Sequence, residues 1–437
     1  MNTRRIERQR RTFEAISGSL TSWLIAPLIY PALRIGLGAK SEIDRVRYWS
    51  QPTRIHWETP PGARPILVLA LYEKGRLRPD VLRLLDTARD QGFSVVAVNT
   101  LKLMDPETLR DRIDTYIERP NYGRDFGSYR TAFLHIHERG WDRECPRLLM
   151  LNDSVFYARR HLAAFLRDMR DHEAEVLGAT ENYEINYHLG SFAIAMSGKI
   201  LRHPRIRNYW RRYRLTDVRP SVIHGGEMKL SRALRRAVSS EDQMTALFNA
   251  RRFIATANQD PAFLDEALKN SCVSTLIGWK RWLPSEFVAD YMDQYTINRL
   301  PIERLEIAVD TDVERVAERF AATSASEIIN FLKLDLSPGS TIDEAQVRSV
   351  LAARLGEVFL SGSQIHRNSA ILLMMGLPIV KLDGLYRGTF VIEDVQAICR
   401  HLSPEDAKEL RDLLMTRPFG GDILFGWRRM AFMRGLL

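Results

Sequence analysis

Short apolar runs alternate with amphipathic stretches through the first half of the chain. Ile66–Leu71 (ILVLAL) follows Pro-Pro-Gly-Ala-Arg-Pro and predicts a buried strand with a sharp start. Pro79–Gln91 carries Val81, Leu82, Leu84, Leu85 and Ala88 at helical spacing, and Gly92 ends it. Phe93–Val98 (FSVVAV) predicts a second strand. Pro106–Ile117 reads as a helix, Asn121–Gly127 as a loop and Ser128–Arg139 as a helix. Leu148–Leu151 predicts a third strand, His161–Asp171 a helix, and Glu175–Ala179 and Ser191–Met196 two more strands. Strands separated by helices need crossovers, so the fold class expected is α/β with a mostly parallel, Rossmann-type sheet and flanking helices. From about Pro301 the pattern turns helical, with Val313–Ala322, Ile342–Leu355, Val391–Leu402 and Pro404–Met415 and a turn at Ser337-Pro-Gly. The expected division is a basic and apolar segment 1–45, an α/β domain 60–300 and a mainly helical region 301–437.

Composition adds little to that picture but excludes some classes. Of 437 residues 45% are hydrophobic and 27% charged, which rules out a disordered or fibrous chain. Cys145, Cys272 and Cys399 lie far apart, with no metal spacing and no even framework, and predict free thiols in a reducing compartment. The net charge of +9 is concentrated. Arg4, Arg5, Arg8, Arg10 and Arg11 stand against Glu7 alone, and Arg202–Arg214 holds six arginines and no acid. If that second run is helical, Arg207, Arg211 and Arg214 share a face. The apolar run Trp23–Leu33 is shorter than the roughly 20 residues a spanning helix needs, and Pro27 and Pro31 interrupt it. Residues 1–37 therefore predict an element lying on a membrane surface, with the protein cytoplasmic and peripheral at the inner face; a helix packed on the protein's own core is the alternative. Nucleic acid is not the expected partner, because only Tyr209, Trp210 and Tyr213 interleave with the arginines.

No Gly-x-Ser-x-Gly, His-Glu-x-x-His, P-loop or Gly-x-Gly-x-x-Gly motif stands out. The chemistry lies in two segments, Asn121–Arg130 (NYGRDFGSYR) and Leu151–Phe156 (LNDSVF). In the first, Gly123 and Gly127 allow a close backbone approach, Arg124 offers a planar charged fork, and Asp125 can accept from sugar hydroxyls or cap the next helix. In the second, Asn152, Asp153 and Ser154 sit where an apolar strand ends, the ligand side of an open α/β sheet. Asp153 can coordinate a hard cation such as Mg or Mn bridging a diphosphate, or it or Ser154 can cap the helix near His161.

Together these segments resemble the rhamnan synthesis protein F family of bacterial capsule, O-antigen and cell-wall polysaccharide gene sets. The resemblance rests on Asn121, Gly123–Gly127, Tyr129 and Leu151–Val155. It extends to Gly178-Ala-Thr180, Tyr187–Phe192 with Gly190 in place of the usual Gln, Val222–Ser231, and Asn368 with Gly376–Lys381, where Ile379 replaces Phe. It implies a GT-A-like nucleotide-sugar fold and a glycosyltransferase that moves a sugar, with rhamnose suggested only by the family's name, from a nucleotide donor to a glycan or lipid-linked acceptor. A non-catalytic glycan-binding or scaffold protein of the same machinery is the alternative. Asn152-Asp-Ser154 stands where GT-A enzymes carry Asp-x-Asp. The resulting expectations are Asp153 as the catalytic diphosphate or metal contact and Asn121, Gly123, Arg124, Asp125, Asn152, Ser154, His188 and Ser191 around the nucleotide sugar. Glu227, read as opening a helix after Gly225-Gly226, is the candidate general base or a first-turn acid on the helix dipole, with Glu181 in reserve. His188 is a loop ligand or a structural histidine.

Overall fold

A computed structural model describes residues 30–183, 185–275, 278–281, 324–335, 343–416 and 419–437. The basic start of the chain, the expected helix Val313–Ala322 and the Ser337 turn lie outside these residues. After a helix over residues 30–49 come β1 (Arg54–Trp57), β2 (Ile66–Leu71), β3 (Ser94–Asn99), β4 (Thr115–Glu118), β5 (Arg147–Asn152), β6 (Val155–Tyr157), β7 (Val176–Gly178), β8 (Glu181–Asn182), β9 (His188–Leu189), β10 (Ala193–Ser197) and β11 (Met244–Ala246). Eight of these form one sheet in the order β1-β4-β3-β2-β5-β10-β7-β11. The pairs β4·β3, β3·β2, β2·β5 and β7·β11 are parallel, whereas β1·β4, β5·β10 and β10·β7 are antiparallel. The expected α/β class, a sheet with flanking helices and a mainly helical C-terminal region, is the observed one; the sheet is mixed, with four parallel and three antiparallel pairings.

Every residue of β2, β3 and β5 is buried, as a strand covered on both faces requires. Alternate side chains enter two cores. Leu67, Leu69 and Leu71 meet Val81, Leu84 and Leu85 of the helix Pro79–Asp90 together with Phe165 and Leu166 of Leu162–Asp171. Ile66 and Val68 meet Phe126, Tyr129 and Phe133 of Arg124–Glu138 and Trp210 of Pro204–Arg212.

One expected element is absent. Pro106–Ile117 is not a helix but a short 3₁₀ turn, Pro106–Leu109, followed by β4. Thr115, Tyr116 and Ile117 are fully or nearly fully buried between β1 and β3, and the Asp114 carboxylate accepts the Val95 N–H at 2.9 Å, which anchors the strand entry. The second arginine run also breaks: the helix stops at Arg212, so Arg214 leaves the face of Arg207 and pairs with Glu42 at 2.8 Å.

The C-terminal helices share the core of the sheet. Phe359 of Glu344–Leu360 stacks on Phe253 of Ala250–Gln259 at 4.9 Å, and Gly356 admits the close approach, because a Cβ there would lie 2.7 Å from Ile254. Ile379–Lys381 pairs antiparallel with β6 and delivers the C-terminal region to the strand ends.

Candidate functional site

The chain order reverses at β2, with β3 on one side and β5 on the other, and the residues just past these strands line a cleft of about 680 Å³. Tyr72, Thr100 and Asp153 line it where these strands end. Asp153 ties two strand ends together: its N–H donates to Ala70 O at 3.1 Å and its Oδ2 accepts the Tyr72 N–H at 2.5 Å. Arg78 donates from below to the carbonyls of Asp153 (2.9 Å) and Val155 (2.8 Å). Asp153 caps no helix, nor does Ser154. β6 intervenes, and the helix at Leu162 is preceded by His161 in a left-handed conformation, φ 68°.

The Asn121–Gly127 segment turns into its helix earlier than expected, at Arg124. Gly123 (φ 86°) and Arg124 (φ 50°) are both left-handed, and the second is strained for a residue with a side chain. Asp217 holds this turn: its Oδ1 accepts the Gly123 N–H at 2.7 Å and its carbonyl accepts Arg124 Nε at 3.0 Å. Beneath lies Arg119, whose guanidinium donates to the carbonyls of Pro120, Tyr122 and Arg124. Gly127 exists for that guanidinium, since a Cβ there would lie 1.8 Å from Arg119 Nη2. Asp125 sits in the first turn rather than capping it, and its Oδ2 accepts Asn152 Nδ2 at 3.2 Å, joining the two motifs. Asn152 Oδ1 in turn accepts the Ser154 hydroxyl at 2.7 Å.

Glu227 faces the same cleft, but it does not open a helix. It lies inside a π-helical turn, Ile223–Met228, set between Arg219–Val222 and Lys229–Arg235, so an N-terminal dipole role does not apply. Such turns carry an extra residue and are frequent at functional sites. The Tyr209 hydroxyl shares its hydrogen between the carbonyls of Gly225 and Gly226, at 3.2 and 3.1 Å, and Gly226 leaves room for the Phe126 ring. Ser191 Oγ donates to Glu227 Oε1 at 2.9 Å. Burial raises the Glu227 carboxyl above the ordinary range, the Ser191 hydrogen bond opposing in part. His188 Nδ1 is 2.7 Å from Asn186 O, and a carbonyl only accepts, so Nδ1 carries a proton and Nε2 points to Glu227 Oε2, 3.8 Å away. Glu181 is buried outside the cleft lining, accepts from the Tyr183 hydroxyl at 3.4 Å and is raised by desolvation.

The structure thus brings Asn121, Arg124, Asp125, Asn152, Asp153, Ser154, His188 and Glu227 to one cleft, with Gly123 and Ser191 just behind it. It also adds residues that no local pattern marked: Asp217, Arg219, His366, Asp383 and Arg387. Lys381, present in the closing segment of the resemblance, donates to Ser154 Oγ at 2.7 Å. Arg387 Nε donates to Asp383 Oδ2 at 2.6 Å, and Lys381, His366 and Arg387 hold the Asp383 carboxyl well below its usual range against the cost of burial. Burial drops the His366 imidazole to about 4. A separate groove of about 1160 Å³ shares none of these residues; Arg34, Arg205, Arg212, Arg232 and Arg236 line it.

The chain is 27% identical over 220 residues to the uncharacterised protein y4gN of Sinorhizobium fredii, covering 46% of this chain and 56% of that one. It is 29% identical over 119 residues to the virulence protein VirA of Vibrio anguillarum, covering 27% of this chain and 38% of the relative. The chain therefore spans about half or less of the curated relatives it matches. Among solved structures the glycosyltransferase GlyE of Streptococcus pneumoniae aligns at 10% identity and a TM-score of 0.25, over 64% of this chain and 66% of that one. Residues 93–256, which carry both strand-end motifs, His188 and Glu227, match rhamnan synthesis protein F, the family whose pattern they resemble.

Proposed function

We propose that this chain is a glycosyltransferase of bacterial cell-surface polysaccharide synthesis, moving a sugar from a nucleotide donor to a glycan or lipid-linked acceptor. The observation that carries the reading is the convergence of Asp125, Asn152, Asp153, His188, Glu227 and Lys381 on one cleft at the strand ends, although they come from five separate stretches of sequence. Rhamnose is the donor sugar suggested by the family's name.

The chemistry is a single displacement. An acceptor hydroxyl attacks the anomeric carbon, its proton passes to Glu227, and the bond from that carbon to the diphosphate breaks with both electrons leaving on the diphosphate oxygen. A carboxyl raised by desolvation is a stronger base once ionised than one in water. Ser191 fixes its orientation, and His188 with its Nδ1–H on Asn186 presents Nε2 towards it. Asp125 and Asn152, linked to each other, are placed to accept from and donate to sugar hydroxyls.

The test is turnover of a panel of nucleotide sugars with a polysaccharide or lipid-linked acceptor. Glu227→Gln is expected to lower kcat by about 10²–10⁴-fold, as loss of a general base does. Undiminished turnover by that variant removes Glu227 from the mechanism. A protein that binds none of the donors is a scaffold instead.

Among the described residues no helix is long and apolar enough to cross a membrane. Residues 1–37 and the arginine-lined groove suit an anionic membrane surface, so the same proposal places the protein at the inner face of the cell membrane.

A further inference from the structure

We infer that the cleft holds a diphosphate in a cage of four cationic side chains, Arg124, Arg219, Lys381 and Arg387, and that this cage replaces a divalent cation. The inference rests on the transferase reading and names what neutralises its leaving group.

The four cations come from separate parts of the chain. Arg124 opens the helix Arg124–Glu138, Arg219 opens the helical stretch before Glu227, Lys381 ends the strand paired with β6, and Arg387 follows in the helix Gly384–Arg387. All four line the cleft. Arg78 and these four cations share the cleft with the carboxyl groups of Asp125, Asp153, Asp217, Glu227 and Asp383, so the convergence of the four on one region, rather than a net excess of charge, is what suits a nucleoside diphosphate. The cations are gathered against their own repulsion. Burial, then the nearby Arg387, holds Arg219 below the usual guanidinium range; Arg124 is lowered by burial, with Asp125 and Asp217 opposing and Arg387 adding to it. Arg219 is half-buried, and the Arg124 backbone is held at φ 50°. An anion bound here relieves the repulsion between the cations. Lys381 spends one of its three donors on Ser154 and keeps two for a ligand.

A divalent cation does not fit the same residues. Asn152 stands in place of a carboxylate, and both ends of its amide are engaged, by Asp125 and by Ser154. One oxygen of Asp153 accepts the Tyr72 N–H, and the Lys381 ammonium already occupies the Ser154 hydroxyl. Among the described residues no group of three His, Cys, Asp or Glu is arranged to hold a metal.

Calorimetric titration of the full chain with UDP, dTDP, GDP and farnesyl diphosphate, first in EDTA and then with MgCl₂ or MnCl₂, tests the cage. The expected result is binding in EDTA that changes less than about threefold when the metal is added. Arg219→Met and Lys381→Met are expected to weaken it at least tenfold with an unchanged unfolding midpoint, and Arg219→Lys to keep most of it. A preference for the nucleotides assigns the cage to the donor; a preference for farnesyl diphosphate assigns it to a lipid-linked acceptor. Binding seen only with metal overturns the cage but leaves the transferase reading intact. No binding under either condition overturns both.

Discussion

Alanine at position 127 drives a methyl group into the most heavily hydrogen-bonded point beneath the ligand loop. Its Cβ would lie 1.8 Å from Arg119 Nη2, 2.7 Å from Cζ and 2.8 Å from the Tyr122 carbonyl oxygen. The guanidinium cannot yield freely. It donates to Pro120 O at 2.7 Å, to Tyr122 O from both Nη atoms and to Arg124 O at 3.2 Å, and among the described residues no carboxylate lies within ion-pair distance. Burial pulls its pKa down to about 10, with Asp217 and Asp125 opposing at longer range. Moving Nη2 aside breaks its bonds to Tyr122 and Arg124, each worth about 1.5–3 kcal/mol for a charged donor. The gain in helix propensity from Gly to Ala offsets about 1 kcal/mol. Gly127→Ala should therefore cost roughly 2–5 kcal/mol, a large part of the roughly 5–15 kcal/mol that stabilises an ordinary domain. Guanidinium unfolding followed by circular dichroism measures it as a shift in midpoint at constant slope. Gly225→Ala is the internal control: its Cβ would meet only Tyr213, at 3.9 Å, and the change should stay within about 1 kcal/mol. If Gly127→Ala unfolds within 1 kcal/mol of the parent, the glycine is not there for Arg119 and the account of this loop is wrong.

Three further expectations follow from the geometry. Asp153→Ala should lose about 1–3 kcal/mol of stability, because the Tyr72 N–H loses its acceptor, whereas Asp153→Asn keeps an acceptor oxygen and should stay close to the parent; equal stabilities for the two variants would contradict the strand-tying role. His366 sits at about 4 against 6.5, so between these values the folded protein binds fewer protons than the unfolded chain. Its contribution is complete above pH 6.5 and lost as pH falls towards 4, on the order of 3 kcal/mol, and the lowered Asp383 adds a loss of the same sign at still lower pH. Urea unfolding at pH 7 and pH 4.5 should show that slope, and His366→Gln should flatten it; an unchanged slope removes His366 as its source. Finally, the chain should co-sediment with vesicles containing phosphatidylglycerol but not with phosphatidylcholine alone, and reversing Arg205, Arg212 and Arg236 to Glu should weaken this by about 1 kcal/mol per charge or more; binding indifferent to charge would refute the groove as a lipid site.

Strands were legible where burial is complete on both faces, because Ile66–Leu71 and Leu148–Leu151 have no polar position to confuse the period. The segment before β4 misled because Leu109, Ile113 and Ile117 recur at helical spacing, while the pairing with β1 and β3 that decides the matter is not local. Strand direction was hidden for the same reason: an all-buried Ala193–Met196 carries no sign of running against its neighbours. The candidate site was half legible. Glycines and polar residues at strand ends have a signature in one short window. Asp217, Arg219, Asp383 and Arg387 do not, since only the folding of distant stretches onto β6 and onto the Gly123 turn gives them a shared target.

The π turn at Ile223–Met228 has a consequence for descent as well as chemistry. A helix with one residue too many is one codon away from an ordinary helix. Deleting Gly225 would merge Arg219–Val222 and Lys229–Arg235 into a single α-helical register and rotate every position before it by about 100° relative to those after it. Either Glu227 or Arg219 would then leave the cleft, although no cleft residue had been substituted. Length in this helix, rather than the letter at position 227, is the character by which relatives that kept the carboxylate in place can be sorted from those that kept only the fold.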